Sequence, residues 1–146
     1  MEIEEQYKST FLELIKRWRR ENVKINSGAS DTDLVAFEQE LGLTMPDDFR
    51  ALYSAVNGMA ELDSDNLLFH LWPIEEIQNN GLVARIDGGV EIAFGDFLID
   101  SQRYLMEFNS LGRCVGIHVD FEQKKLANSF GEFFDIYLRY PDKLYM

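Results

Sequence analysis

Apolar side chains in this chain fall into two kinds of spacing. At helical spacing, Tyr7, Phe11, Leu14, Ile15 and Trp18 line one side of segment 4–22 while charges fill the other, which predicts an N-terminal helix. Leu34, Phe37 and Leu41 lie at i, i+3 and i+7 and predict a second helix. Ser30 is placed to cap its start, with Asp33 in the reciprocal position of a capping box. Gly42 is placed to end it in a left-handed cap, followed by the apolar Leu43. Pro46 opens a third helix, where Asp47 and Asp48 suit the positive end of the dipole. Phe49, Leu52, Tyr53 and Val56 repeat at i, i+3, i+4 and i+7, and Asn57-Gly58 stops the run. Two helices of about ten residues do not stand alone in water. The apolar faces of Asp33–Gly58 therefore need a partner from elsewhere in the chain.

Strand spacing dominates the middle. Leu67–Trp72 is a short apolar run ended by Pro73 and predicts a buried strand, with a helical turn or two over Ile74–Ile77. Leu82–Ile86 predicts another strand before the turn signal Asp87-Gly88-Gly89. Val90–Phe94, Arg103–Phe108 and Arg113–Val119 are the clearest strands, the last two joined by the hairpin-like Asn109-Ser110-Leu111-Gly112. Cys114, Gly116, His118 and Asp120 alternate with Val115, Ile117, Val119 and Phe121, which predicts a sheet with one wetter face. A closing helix is predicted from Ser129 to Tyr140, with Ser129 and Glu132 as capping box and Pro141 as its end. Residues 22–30 read as a linker, and no internal repeat is present. The order of elements predicts an α+β fold, a single domain over residues 1–146 with helices packed on one face of a mainly antiparallel sheet.

Composition adds the class. With 46% apolar and 13% aromatic residues, the chain has the means to fill a core. One cysteine, Cys114, excludes an internal disulfide framework and suits a reducing compartment. The acidic start MEIEEQYKS is not a signal peptide, and no apolar run approaches the ~18 residues that span a bilayer. A cytoplasmic protein without membrane contact is expected.

Charge sharpens this. Residues 1–24 hold six basic and five acidic side chains, for +1, whereas residues 25–146 hold eight and 21, for −13. Such a surface repels phosphate backbones, so no nucleic-acid partner is expected, and it favours a basic partner or serves solubility alone. Lys16, Arg17, Arg19 and Arg20 read as complements of a helix C-terminus, because no exposed aromatics interleave them.

Templates for chemistry fail. Cys114 and His118, four apart on one predicted strand, with His70 as a third group, fall short of a zinc pattern. Asp63-Ser64-Asp65-Asn66 starts like a calcium loop, but Leu68 and Ile74 stand where glycine and glutamate are required. There is no G-x-S-x-G elbow and no phosphate-binding loop. Pairs such as Asp96 with Asp100 or Glu75 with Glu76 are expected by chance among 26 acids. No enzyme, cofactor or metal is expected.

One long pattern is specific. F-E-x-x-L-G-x-x-x-P-x-x-F-R-x-L-Y-x-x-x-N-G, carried by Phe37, Glu38, Leu41, Gly42, Pro46, Phe49, Arg50, Leu52, Tyr53, Asn57 and Gly58, resembles the signature of the SUKH superfamily, the group of the fungal Smi/Knr cell-wall synthesis regulators. In register with it, Trp72–Ile77 resembles the turn after the family's first strand. Phe94-Gly95-Asp96 with Ile99-Asp100 resembles its central strand pair, and Ala127–Phe134 its closing helix. The resemblance spans residues 28–138 and places the N-terminal helix, 1–24, outside the family core. It implies an α+β binding domain without catalytic residues. The implied role is an immunity protein that neutralises a toxin, often a nuclease, or a regulatory scaffold akin to the glucan-synthesis regulators. A basic toxin domain as partner agrees with the charge. Residues 61–107 hold ten acids against two bases, so Glu61, Asp63, Asp65, Glu75 and Glu76 are the candidate partner-binding residues. Trp72 is the candidate aromatic anchor, with a core residue as the alternative.

Overall fold

The computed structural model of the protein describes residues 2–84, 87–120 and 124–144. Its central strand is β5 (Val90–Phe97), the longest of the main sheet. On one side β5 pairs with β6 (Gln102–Phe108), and the sheet continues through β7 (Cys114–Val119) to β8 (Lys125–Ala127). Its other edge is shared end to end. β4 (Leu82–Ala84) pairs with Val90–Ile92, and β3 (Phe69–Leu71) with Gly95–Phe97. Every pairing is antiparallel.

The helices are α1 (Glu2–Arg20), α2 (Asp31–Leu41), α3 (Asp47–Ala55), α4 (Ile74–Asn80) and α5 (Phe130–Arg139). Both predicted N-caps form, but only α2 has the full capping box: Ser30 accepts from the Asp33 N–H with the reciprocal bond present, whereas Ser129 accepts from the Glu132 N–H and the Glu132 carboxylate takes the Asn128 N–H instead. Gly42 closes α2 at φ 71°, with open space where a side chain would stand. The aromatic face of α5 joins sheet to helices. Phe130 and Phe133 meet Phe94 edge-on, Phe133 packs on Tyr104, and Tyr137 on Phe69. From the far side α1 contributes Phe11 and Trp18 against Phe134, and α3 contributes Phe49 and Tyr53 against Phe130. Each such ring is buried and stabilises the fold by about 1.5–3 kcal/mol relative to exposure. This is the partner that the α2–α3 pair required.

The signature residues have structural work. Glu38 receives the Met45 N–H (2.7 Å) and both arms of the Arg50 guanidinium (3.0 and 2.8 Å), which ties the end of α2 to α3 across their connection. Asn57-Gly58 is not a helix stop. α3 ends at Ala55, and the chain runs directly into β2 (Val56–Met59), which pairs with β1 (Ile25–Ser27) in a second, two-stranded sheet. The segment read as a linker is thus partly strand. Gly58 sits at φ 72°, and a Cβ there would lie 2.3 Å from the Pro73 nitrogen. Asn57 Oδ1 accepts the Ile74 N–H at 2.9 Å. The pair therefore presses β2 against the Trp72-Pro73 corner.

Two more readings change. Leu98–Asp100 belongs to the turn between β5 and β6, not to a strand pair. Cys114 and His118 do not share a face. A register shift places Cys114 opposite Phe108 but His118 opposite Leu105, three residues apart on β6 and so on opposite faces. β8 had no counterpart in the sequence reading, and of the predicted Leu82–Ile86 strand residues 85 and 86 lie outside the described residues, as does Phe121.

Candidate functional site

The acidic segment 61–76 is built around β3 and the corner that follows it. Asp65 lies beneath the surface, 4% exposed. One carboxylate oxygen accepts Trp18 Nε1–H (2.8 Å) and the Tyr137 hydroxyl; the other accepts the N–H groups of Leu67 (2.9 Å) and Phe69 (3.1 Å). It is the polar hub that joins α1, α5 and β3. Trp72 is 1% exposed, and the Tyr53 hydroxyl bonds its carbonyl at 2.6 Å. The fold takes both residues off the surface: Asp65 because four donors converge on it, Trp72 because Asp96 binds its indole N–H and Arg103 covers its ring. The core alternative for Trp72 is the one the geometry realises.

The other candidates remain accessible. Glu61 and Glu75 are exposed, the latter accepting from Asn57 Nδ2 at 3.2 Å. Asp63 is half-buried and caps the Lys24 and Ser64 N–H groups, while its carbonyl oxygen accepts from His70 Nδ1–H at 2.6 Å. His70 Nε2 meets Glu76 Oε1 at 3.2 Å, and the Asp96 carboxylate lies within 4.8 Å of both ligand atoms. Asp63, Glu76 and Asp96 are thus brought together around one imidazole, and Glu75 is adjacent to them on α4.

A closed ring of contacts lies next to this group. Trp72 Nε1 donates to Asp96 Oδ2 (2.6 Å), and Asp96 Oδ1 accepts the Asp100 N–H (3.0 Å). The Asp100 carboxylate takes a two-point bond from Arg103 (2.7 and 3.0 Å), and the Arg103 guanidinium returns over the Trp72 ring at 5.1 Å. The same pairing holds the Asp100 carboxyl below the usual carboxylate range. The turn enclosed by this ring is unusual. Leu98, Ile99 and Asp100 all have left-handed backbones, at φ 54°, 50° and 63°. Such a conformation costs about 1–2 kcal/mol per non-glycine residue, and most for a β-branched one. Hydrogen bonds from the Ser101 N–H to the Phe97 carbonyl (3.0 Å) and from the Leu98 N–H to the Leu68 carbonyl (2.9 Å) complete the clamp. Ile99 stands out from it, 86% exposed. The family resemblance places Ile99-Asp100 in a strand pair, and that assignment gives no sign that Ile99 stands clear of the sheet.

Two other groupings bring titratable side chains together. On the sheet face away from α5, His118 lies between Glu91 (2.7 Å) and Glu107 (3.5 Å), the two glutamates being direct cross-strand partners. Here the predicted wetter face is occupied by a paired, buried histidine. A cleft lined by Tyr7, Pro46, Asp48, Ser129 and Phe130 holds Cys114, but burial pushes its thiol up to about 11, so little thiolate exists at neutral pH. Burial also raises the Asp48 carboxyl, which accepts the Gly131 N–H at 2.9 Å and serves α5. Among the described residues, no helix is long and apolar enough to cross a membrane.

Against this geometry, the model of the SMI1/KNR4 family (SUKH-1) matches residues 28–136. The chain belongs to that family. No curated protein matches it. The SMI1/KNR4 (SUKH-1) family covers immunity proteins and Knr4-type regulators and is generally a non-enzymatic, protein-binding domain. The match runs from the segment before α2 to within α5. It includes the Glu38–Arg50 tie and the Asn57-Gly58 contact, both of which serve folding, as well as the acidic corner.

Proposed function

We propose that this SMI1/KNR4-family protein is an immunity protein that binds a basic toxin domain and blocks it, using the acidic corner formed by Glu61, Asp63, Glu75 and Glu76. The observation that carries this reading is the collection of accessible carboxylates around β3 and α4 in a chain of net charge −12. An array of this sign speeds encounter with a cationic surface and disfavours nucleic acid. On this reading the protein works in the cytoplasm of the cell it protects, without cofactor or metal, and carries out no catalysis. Family membership fits equally a regulatory module with an endogenous partner, and rescue of growth separates the two.

The test first reads the neighbouring gene: the immunity reading expects a large secreted protein there, and its C-terminal domain is then expressed as the toxin, whereas the absence of such a gene counts against the reading. Co-expression of the wild-type chain restores growth, and stopped-flow association slows steeply with added salt. The variant E61Q/D63N/E75Q/E76Q, which keeps side-chain shape, lowers the association rate about tenfold at low salt and flattens its salt dependence. Unchanged association kinetics would move the binding face elsewhere. Failure of the wild-type chain to restore growth would remove the immunity reading.

A further inference from the structure

We propose that the left-handed turn Leu98–Ile99–Asp100 is the apolar anchor of the binding face, and that it fits a protein partner presenting an apolar socket rimmed by lysine or arginine. This rests on the reading above and names the kind of surface the partner offers. Three observations support it. Ile99 is 86% exposed and Leu98 45%, and Leu68, whose carbonyl accepts the Leu98 N–H, is 44% exposed, so three large aliphatic residues lie at this turn. Leu68 also has a left-handed backbone, at φ 66°. Left-handed positions that only close a helix are filled by Gly42 and Asn22, residue types that adopt this conformation readily. At this end bulky side chains occupy such positions instead, and the closed Trp72–Asp96–Asp100–Arg103 ring fixes the backbone that presents them. A segment held this firmly loses little freedom on binding.

The surroundings select the partner. Asp100 flanks Ile99 but is paired with Arg103, so the negative charge of the rim comes from Asp63 and Glu76, in the group around His70 that contains Asp96, the residue holding Asp100 in place. An apolar centre within an acidic rim matches a basic surface with an apolar depression. The apolar centre slows dissociation and the rim speeds association.

The experiment measures association and dissociation of the same toxin domain with Ile99→Ala and Leu98→Ala, alongside thermal unfolding of each variant. Expected for Ile99→Ala is a dissociation rate about thirtyfold faster, an unchanged association rate with unchanged salt dependence, and an unfolding temperature equal to or above wild type. Ile99→Val retains most of the affinity. Dissociation unchanged in Ile99→Ala, with wild-type binding intact, overturns the anchor and leaves the immunity reading standing. A wild-type chain that does not bind the domain at all removes both. A wild-type dimer in sedimentation that Ile99→Ala converts to monomer would assign the patch to a second copy of this chain and overturn the proposal.

Discussion

Replacing Asp65 by asparagine tests whether this carboxylate belongs to the fold or to the binding face. Its two oxygens accept four donors: the Leu67 and Phe69 N–H groups on one, Trp18 Nε1–H and the Tyr137 hydroxyl on the other. An asparagine that keeps its oxygen on the two backbone groups turns its NH2 toward Trp18 and Tyr137. The tyrosine hydroxyl can rotate and accept, but the indole N–H is a donor only. Two bonds to a charged acceptor are lost, each contributing about 1.5–3 kcal/mol, and one is partly recovered. The net destabilisation is about 3–4 kcal/mol, which for a domain of this size lowers the unfolding temperature by about 9–12 °C. Against a total stability of about 5–15 kcal/mol the variant still folds at low temperature. Circular dichroism during heating reads the shift, and association with the toxin domain at 15 °C reads function. A shift below 3 °C would refute the four-donor network. Normal unfolding with slowed association would return Asp65 to the binding face.

Two further predictions concern the family signature. Arg50 holds the Glu38 carboxyl below the usual carboxylate range, so the pair's contribution is complete above the unfolded value of about 4.3 and is lost as pH falls through the lower folded value. Because both groups touch solvent, Glu38→Gln costs only about 1 kcal/mol at pH 7. It also makes stability between pH 5 and 3 fall less steeply than in wild type, read by urea midpoints; parallel acid profiles would show that the pair adds nothing. Gly42 and Gly58 share the same left-handed φ, yet a Cβ meets nothing within 4 Å at Gly42 and the Pro73 nitrogen at 2.3 Å at Gly58. Gly42→Ala should therefore cost about 1 kcal/mol and Gly58→Ala several times more, from urea midpoints at constant slope. Equal losses at the two positions would show that backbone conformation alone governs both.

Much of the fold is legible in local spacing. The faces of α1, α2, α3 and α5, both serine caps, the glycine end of α2 and strands β5 to β7 follow from residues within one or two turns of each other. What escaped has a common cause. β1 and β8 are three residues long and too short to show alternation, and β2 carries an Asn-Gly pair that reads as a stop until Pro73 is known to press on it. The register shift in β7 inserts one residue and moves Cys114 to the face opposite His118, which no strict count of alternate positions reveals.

The sequence alone determined the class of fold and the acidity of the region from 61 to 107, because periodicity, caps and charge are local or additive properties, and the pattern from Phe37 to Gly58 carried the family resemblance. It could not rank the acids within that region. Asp63 and Asp65 are two residues apart and chemically identical. Yet the burial of Asp65 is decided by Trp18 and Tyr137, 47 and 72 positions away. The same holds for the two apolar candidates at the corner. Trp72 is drawn inward because Asp96 and Arg103 close around its ring, and Ile99 is turned outward by the same closure. Exposure depends on contacts between distant segments, and those exist only once the sheet and the helices have met.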